Sequence, residues 1–334
     1  MTERIVLAHG AGGRMAQKLV AEIFVAHLDN PLLASLEDAV TFPVEGRMAF
    51  TTDSYVVHPL FFPGGDIGKL AVCGTVNDLA VSGAYPRYLS LGVILEEGLE
   101  LSVLERVVKS IAATAAEAGV QIVTGDTKVV PRGAADGIFI NTAGLGVVPP
   151  GVTLTSRNIK PGDAILLNGY IGDHGIAVFS KREGIAFQTN VKSDCAPLNG
   201  LVEVMLKTGA SLRCMRDPTR GGLASILNEL ADQSGAGICV TEQSIPIRDE
   251  VLGACEMLGF DPLYVANEGK LVAVVQGDDA EMVLEAMRAH PLGRDATLIG
   301  EVVEGPPGRV SLRTFMGSTR IVDMLSGELL PRIC

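Results

Sequence analysis

The chain ends on a cysteine, and a thiol at the last residue could serve as a carrier group. The terminus reads Leu-Pro-Arg-Ile-Cys, and Pro331 stiffens the approach to Cys334. Chain termini are usually mobile, and an extended tail from Ser326 to Cys334 reaches roughly 30 Å. The thiol could therefore enter a pocket on its own body and also visit a partner. The alternative is a C-terminal residue that happens to be cysteine, and the tail alone does not decide.

A glycine-rich stretch near the start could bind an anion. It reads His9-Gly10-Ala11-Gly12-Gly13 and precedes a segment with a helical apolar pattern. Backbone N–H groups of a glycine loop at a helix start can cradle phosphate. The spacing matches neither Gly-x-Gly-x-x-Gly nor a Walker A loop with its Lys-Ser/Thr. An anion site and an ordinary turn both remain open for this stretch.

Three aspartates lie where separate segments could bring carboxylates together. Asp53 and Asp126 each close a predicted strand, and Asp78 lies inside an otherwise apolar helix. A carboxylate is costly to bury without a partner, so Asp78 in particular needs one. The three could converge on Mg²⁺, which binds through a few carboxylates and substrate phosphates. Alternatively, Asp53 and Asp126 cap turns, and Asp78 pairs with a basic side chain.

Two further polar stretches interrupt apolar sequence in the second half. Residues 216–222 form a charged, glycine-bearing loop that opens a helix, with Asp217 or Thr219 as its N-cap. Residues 267–270, Asn-Glu-Gly-Lys, separate an apolar segment from an apolar strand. Each stretch could line a site. Each also has a plain structural interpretation, a helix start for the first and a turn with a solvated Glu–Lys pair for the second.

Composition limits the class of protein. The 334 residues suggest two domains, and the net charge of −12, without a Lys/Arg stripe, argues against nucleic acid as a partner. Six cysteines are scattered without a Cys-x-x-Cys pair, so neither a zinc site nor a disulfide framework is indicated. No apolar run reaches the ~18–20 residues of a membrane helix, and the start lacks the features of a signal peptide. A cytoplasmic location is the default expectation.

The elements that must position these residues follow from periodicity and turn signals. Helices are predicted at 13–28, 66–84, 102–119, 172–181, 198–208, 219–233, 249–258 and 279–289. Strands are predicted at 47–57, 87–95, 120–130, 137–148, 163–168, near 238, and at 271–275, 297–303 and 309–313. Asp66 and Ser102 are the predicted caps of the second and third helices. Pro149-Pro150-Gly151 breaks the pattern, so we expect an α/β domain over 1–150, an α+β domain over 151–322 and a mobile tail over 323–334.

Taken together, these blocks resemble those of the PurM-like ATP-binding superfamily, which includes aminoimidazole ribonucleotide synthetase, selenophosphate synthetase and thiamine-monophosphate kinase. Within it, the sequence is most similar to the HypE family of hydrogenase maturation proteins, over nearly the whole chain. The Pro-Arg-Ile-Cys ending separates that family from its relatives. The other blocks that carry the resemblance are residues 9–13, 62–69, 76–79, 125–129, 193–198, 216–222 and 267–270.

The resemblance implies a PurM-like two-domain fold, a homodimer formed through the N-terminal domains, and ATP bound near that interface. It also implies a reaction. The partner HypF places a carbamoyl group on Cys334, and ATP is used to dehydrate it to a thiocyanate. The cyanide then passes to an iron held by the HypC–HypD complex and becomes a ligand of the [NiFe] hydrogenase centre.

Site roles follow from the same resemblance. Asp53, Asp78 and Asp126 would hold Mg²⁺, Glu268 would be the base that removes N–H protons, and Lys128 would polarise or orient the carboxamide. Lys69 or Arg220 would meet phosphate. The residues expected to bind the nucleotide are His9, Gly10, Gly12, Gly13, Lys69, Asn77, Gly125, Thr127, Asp217, Arg220 and Gly221.

Two other functions remain open from the sequence. The first is a synthetase or kinase of the same superfamily that acts on a free small molecule, but such an enzyme has no use for a thiol at its last residue. The second is a scaffold that has kept the fold without the chemistry, which the retained aspartates, Lys128 and Glu268 argue against. Arg332 is expected to favour the Cys334 thiolate slightly, and the terminal carboxylate to oppose it.

Overall fold

The computed structural model describes residues 4–11, 13–34, 36, 39–184, 191–325, 327, 330 and 332–334. Gly12 and Pro331, both named above, lie outside these ranges. Two sheets organise the chain, one built from residues 47–148 and the other from residues 164–322. The predicted boundary at 149–151 falls between them.

The first sheet has four strands in the order β1-β6-β4-β5. Its strands are β1 (Arg47–Tyr55), β4 (Tyr85–Glu96), β5 (Gln121–Val130) and β6 (Ile138–Val148), and a short hairpin, β2 (Phe61–Phe62) with β3 (Gly65–Asp66), precedes the central helix. β4 pairs parallel with β5, whereas β6 is antiparallel to both β1 and β4. Strands β1 and β5 are therefore the two edges of this sheet.

The helices that the structure describes in this domain cover one face of the first sheet. They are α1 (Arg14–Leu19), a π-helical turn (Val20–Val25), α2 (Ala26–Leu28), α3 (Ile67–Val81) and α4 (Leu101–Ala118). On the other face, the side chains of alternate strand residues point toward solvent, and Phe50 on this face is 69% exposed. This face has the half-buried pattern of a sheet that lacks a covering layer.

Helix α3 is buried almost all round because it packs on the first sheet and also contacts elements of the second domain. Asp66 caps it as predicted, since its Oδ1 accepts from the backbone N–H groups of Gly68 and Lys69. The predicted cap of α4 is wrong. That helix begins at Leu101 after Glu100, and none of the described side chains caps it.

The second sheet has seven strands in the order β13-β12-β9-β11-β7-β10-β8. They are β7 (Ala164–Leu167), β8 (Leu212–Arg216), β9 (Gly237–Thr241), β10 (Val272–Val275), β11 (Thr297–Val303), β12 (Val310–Arg313) and β13 (Thr319–Val322). The helices of this domain are α5 (Asp173–Glu183), α6 (Asn199–Lys207), α7 (Gly222–Ser234), α8 (Asp249–Leu258) and α9 (Ala280–Ala289).

The prediction for the second domain missed strands β8 and β13 and placed the cap of α7 wrongly. Strand β8 was missed because its sequence, Leu-Arg-Cys-Met-Arg, has two arginines in five residues. The predicted caps Asp217 and Thr219 of α7 are wrong. The cap is Gly221, with φ of 77°, a left-handed conformation that glycine adopts without strain. In the part of the chain that the structure describes, no helix is long and apolar enough to cross a membrane.

Candidate active site

Residues 332–334, at the end of the tail, lie in the cleft between the two domains. Ile333 is 3% exposed, and the Cys334 side chain is half-buried among residues of both domains. The backbone N–H of Val56 donates to an oxygen of the Cys334 terminal carboxylate at 3.2 Å, and that of His58 donates to the Arg332 carbonyl at 3.3 Å. The described part of the tail therefore runs along the end of β1.

Arg332 fastens the tail to the first domain. Its guanidinium donates to the Val56 carbonyl oxygen at 3.1 Å and forms an ion pair with Asp136 at 2.5 Å. From the second domain, Arg182 donates to the Arg332 carbonyl at 3.1 Å. The expectation that Arg332 favours the Cys334 thiolate is not met, because its charge is engaged by Asp136.

The thiol of Cys334 lies in an acidic, poorly solvated setting. Burial, reinforced by the nearby Glu268 carboxylate, raises the pKa of Cys334 to about 12, although the Arg220 guanidinium acts in the opposite direction. A cavity of about 300 Å³ adjoins the thiol and is lined by residues that include Val56, Arg220 and Gly221. At neutral pH the docked cysteine is thus a thiol and not a thiolate.

Glu268 is the buried carboxyl group of this cleft and is 4% exposed. Burial raises the pKa of Glu268 well above its ordinary value, and Cys195, Asp217 and Asp194 add to the effect. Its own backbone N–H donates to Asp194 Oδ1 at 3.1 Å. A carboxylate of raised pKa in a dry cleft is a strong proton acceptor once it is ionised, as a general base requires.

Asp194 holds the loop that carries Glu268. Its two carboxylate oxygens accept from the backbone N–H groups of Glu268 and Gly269, each at 3.1 Å, and it pairs with Lys270 Nζ at 3.1 Å. Burial opposes the ionised form, but Lys270 and these hydrogen bonds outweigh it, so the pKa of Asp194 is lowered. The predicted solvated Glu–Lys pair within 267–270 is wrong, because Lys270 pairs with Asp194 and Glu268 is buried.

A second set of acidic residues, Asp78 and Asp217, lines a separate cavity of about 760 Å³. Asp78 on α3 accepts from Thr51 Oγ1 at 2.8 Å, and burial, with the charge of Asp53, raises its pKa. Burial likewise raises the pKa of Asp217 to about 7, and the negative charge of Asp78 acts in the same direction. Arg220 lines both this cavity and the one beside Cys334. The predicted pairing of Asp78 with a basic side chain is therefore replaced by a hydroxyl hydrogen bond.

Six further candidate residues line a third cavity, of about 340 Å³, at the β5 edge of the first sheet. Its lining includes the candidates His9, Gly10, Gly125, Asp126, Thr127 and Lys128, together with apolar side chains of the first helices. Lys128 pairs with Asp126 at 2.7 Å, and this hydrogen bond lowers the pKa of Asp126. Both side chains are more than 60% exposed.

Two of the glycines in this cavity are required by close backbone approach. A Cβ on Gly10 would lie 2.7 Å from the backbone nitrogen of Val129, and one on Gly125 would lie 2.5 Å from the carbonyl oxygen of Leu91. The segment that ends at Gly10 therefore packs directly on β5. Its backbone conformation is a short 3-10 helix, Leu7–Gly10, in which His9 Nδ1 accepts from the backbone N–H of Val6.

The three predicted metal ligands do not converge within one chain. Asp53 is opposite Thr142, Thr142 is opposite Leu91, and Leu91 is opposite Gly125. Asp126 is thus three strands away from Asp53, about 14 Å at the usual strand spacing, and its side chain leaves the other face of the sheet. Among the described residues no group of three His, Cys, Asp or Glu side chains has a metal-binding arrangement.

Lys128 is separated from Cys334 in the same way. The terminal residue binds beside the end of β1, whereas Lys128 lies on β5, at the opposite edge of the sheet. Within one chain the predicted base Glu268 and the predicted polarising group Lys128 therefore belong to different cavities.

The other predicted nucleotide-binding residues are placed as follows. Asn77 is 1% exposed, and its amide joins the domains by donating to the carbonyl oxygens of Ala196 and Glu268 and accepting from Leu198 N–H. Lys69 Nζ donates to the Gly64 carbonyl at 3.3 Å. Gly13 is the N-cap of α1.

Two residues that contribute to the cleft were given no role from the sequence. Asp194 lies in the block 193–198, which was singled out only as part of the resemblance, and His174 contacts the tail through a single ring nitrogen. An isolated Asp or His carries no local pattern that distinguishes it from a structural residue.

Comparison with known proteins covers almost the entire chain. Residues 36–148 match the family model for the AIR synthase related protein, N-terminal domain, and residues 160–313 match that for the C-terminal domain. The chain is 55% identical over 333 residues to "Carbamoyl dehydratase HypE" of Cupriavidus necator, covering 99% of this chain and 95% of that protein.

Solved structures show the same similarity in three dimensions. A HypE crystallised with ATP superimposes with a TM-score of 0.96 at 49% identity, over 98% of this chain and 99% of that one. A chain from a HypE–HypF complex gives a TM-score of 0.82 at 50% identity, over 92% and 99% of the respective chains.

Proposed function

The chain belongs to the AIR synthase related family and, within it, to the HypE carbamoyl dehydratases, and we propose from this membership how its cleft performs the reaction. The activity is the ATP-dependent dehydration of an S-carboxamide on Cys334 to a thiocyanate, in the maturation of [NiFe] hydrogenase. The observation that carries this assignment is the docked tail, which holds the Cys334 thiol beside the buried Glu268 carboxyl group.

The chemistry requires a leaving group and the removal of two protons. The oxygen of a carboxamide is a poor leaving group, so ATP phosphorylates it with release of ADP. Loss of phosphate then breaks the C–O bond while both N–H protons leave, and a C≡N bond results. The net change is removal of one water from the carboxamide at the expense of one ATP.

Glu268 is the proposed acceptor of an N–H proton. Its burial and raised pKa suit a base that must hold the proton through the elimination. Since the tail places the carboxamide in the cleft without a diffusion step, proximity supplies much of the rate. Arg220, which lines both the cavity beside Cys334 and the cavity of about 760 Å³, is the proposed contact for a phosphoryl group.

Asp53 and Asp78 are the proposed holders of Mg²⁺. They influence each other electrostatically, and carboxylate oxygens are the ligands that Mg²⁺ takes together with water and phosphate. When bound there, the ion would neutralise charge on the phosphates of ATP. Asp78 and Asp217 line the same cavity of about 760 Å³, which supports nucleotide binding there.

We propose that a homodimer completes the site. Among the described strands, β1 and β5 lie at the edges of the first sheet, and its face away from the helices exposes Phe50 at 69% and Ile94 at 41%. Exposed edges and apolar faces of this kind are usually covered in the working protein. Pairing of two such sheets would bring Asp126 and Lys128 of one copy toward the Cys334 cleft of the other.

The partners and location follow from the family. A HypE is known in complex with HypF, which supports HypF as the partner that carbamoylates Cys334. The HypC–HypD complex is the proposed acceptor of the cyanide, and the cytoplasm is the proposed location.

The decisive experiment is intact mass spectrometry of the chain after carbamoylation by HypF, before and after Mg-ATP. We expect a loss of the mass of one water, mapped to the peptide that ends at Cys334 and absent without ATP. A carbamoyl group that persists while ATP is hydrolysed would refute the dehydratase, and failure of Cys334 to accept the group would favour an enzyme with a free substrate.

A further inference from the structure

His174 connects the tail to the body of the protein through both nitrogens of its ring. The side chain is fully buried in the first turn of α5. Its Nε2 lies 2.8 Å from the carbonyl oxygen of Ile333, and its Nδ1 lies 2.8 Å from Ser193 Oγ. The ring also packs edge-on against Phe62 of the first domain, with 5.4 Å between ring centres. Atoms of both domains and of the tail therefore fix its orientation.

The surrounding atoms determine which nitrogen carries the proton. A carbonyl oxygen can only accept, so Nε2 must donate to Ile333. Ser193 Oγ already accepts from the backbone N–H of Cys195 at 3.1 Å, and its own O–H is free to donate to Nδ1. Burial lowers the pKa of His174 and keeps the ring neutral, although the nearby Asp194 acts in the opposite direction. In this neutral tautomer Nε2–H donates to the Ile333 carbonyl oxygen and Nδ1 accepts from the Ser193 hydroxyl, so both ring nitrogens and both of their partners are hydrogen-bonded.

This contact lies immediately before the reacting residue. The Ile333 carbonyl belongs to the peptide that leads into Cys334, and the terminal carboxylate of Cys334 accepts from the backbone N–H of Val56. The two anchors lie on either side of the Cys334 Cα and fix where its side chain points. A tail shifted by one residue would lose both anchors and would move the thiol away from Glu268.

We propose that His174 is a positioning residue that sets the register of the C-terminal tail by donating to the Ile333 carbonyl, with Ser193 selecting the ring tautomer. His174 acts through Ile333 and not on the thiol itself. The kinetic consequence of this proposal rests on the proposed dehydratase function, whereas the position of the tail can be measured without it.

A matched pair of substitutions separates the two nitrogens. The amide nitrogen of Gln in His174→Gln reaches the place of Nε2 and can still donate to Ile333. The shorter side chain of His174→Asn matches Nδ1, can bond Ser193 and cannot reach the tail. If His174 only supported the fold, the two substitutions would have similar effects. If it sets the register of the tail, only His174→Asn should release the tail.

The first readout is alkylation of Cys334 by iodoacetamide in the full-length protein, followed on the C-terminal peptide. We expect His174→Asn to raise the alkylation rate about tenfold or more, because a buried carbonyl loses its donor and the docked tail becomes less stable. His174→Gln should stay within about threefold of the wild type. Equal rates in the two variants would overturn the proposal.

The second readout is the kinetics of the carbamoylated protein. The Asn variant should lose turnover while its KM for ATP is unchanged, and the Gln variant should recover most of the turnover. A raised KM for ATP in both variants would show that His174 supports the nucleotide site instead. If the wild type itself does not dehydrate the carboxamide, the proposed function fails, but the alkylation contrast still decides the register.

A third measurement needs no variant that might fold poorly. Ring ¹⁵N shifts of histidine-labelled wild-type protein should show one buried, neutral ring with its proton on Nε2. A ring protonated on Nδ1, or a charged ring at neutral pH, would contradict the hydrogen bond to Ile333.

Discussion

The side chains of Asp53 and Asp126 project from opposite faces of one four-stranded sheet, and the two residues lie on the strands at its opposite edges. The separation divides the candidate residues into a cleft group with Glu268 and Cys334 and an edge group with Lys128. No rearrangement that keeps the sheet intact can merge the two groups within one chain, because the register fixes both the face and the edge. A second copy of the chain is the simplest way to unite them.

A mixed dimer tests this union directly. We mix a Lys128→Ala chain with a Glu268→Gln chain after each has been shown to be inactive alone. If Lys128 acts on the cleft of its partner, half of the randomly assorted dimers contain one intact site, and about one quarter of wild-type activity should return. The measurement is dehydration of carbamoylated Cys334 by mass spectrometry.

The control for that experiment is a mixture of the Lys128→Ala chain with a Lys128→Ala/Glu268→Gln chain, which contains no intact site in any arrangement. Activity no higher than in this control would place Lys128 and Glu268 in one chain or remove Lys128 from the chemistry.

The secondary structure was largely predictable because local signals and packing agree. Helices α4 and α8 match their predicted ranges closely, since each carries a helical apolar pattern and ends at a left-handed glycine, Gly119 or Gly259. Strand β8 escaped prediction because its apolar content is low and its pairing with β10 is long-range.

The sequence identified individual candidate residues of the site, but not which of them lie together. The sequence pattern located Asp78 and Glu268 as unusual polar residues in apolar surroundings, and in the structure Glu268 is buried and Asp78 is half-buried. Whether Asp126 meets Asp53 depends on sheet register and face, which no local motif encodes. His174 was missed because its partner, Ile333, is 159 residues away.

The pH dependence of turnover should report Glu268. Burial raises its pKa, so the ionised base is present only above that raised value. With carbamoylated protein as the starting material, turnover should therefore rise with pH beyond the range where an ordinary glutamate is already ionised. Glu268→Gln should lower turnover by about 10²–10⁴, the usual contribution of a general base.

The matched variant for that measurement is Glu268→Asp, which keeps a carboxylate but shortens its reach. It should retain part of the turnover and the rising pH profile, whereas the Gln variant should lose both. A flat profile in the wild type between about pH 5 and 8 would exclude an ionising base as the limiting group.

Cys334 should react slowly while the tail is docked. Burial raises its pKa to about 12, so thiolate is scarce at neutral pH, and only the undocked tail can accept a group efficiently. Arg332→Ala removes the ion pair with Asp136 and the bond to Val56, and should raise the alkylation rate of Cys334 by about threefold to tenfold.

The comparison for Arg332→Ala is Arg309→Ala, which alters an arginine outside the tail. Its alkylation rate should equal that of the wild type. If the wild-type thiol already reacts as fast as a free peptide with the same terminal sequence, the docked position is not the resting state in solution.

Asp217 should make the protein less stable as pH rises. Burial raises its pKa to about 7 from the ordinary value of 3.8, so the folded protein binds this proton more tightly than the unfolded chain. Stability from this group is therefore lost between about pH 4 and 7 and stays low above that range. Asp217→Asn removes the penalty and should stabilise the protein at pH 8 by about 1–3 kcal/mol, less than the full shift implies because Asp217 is partly solvated. Urea unfolding at pH 5 and pH 8 measures the difference in free energy of unfolding between Asp217→Asn and the wild type. This difference should be smaller at pH 5. The control is Asp232→Asn, on the exposed side of α7. A gain that is the same at both pH values would mean that packing, and not the charge of Asp217, limits stability in the cleft.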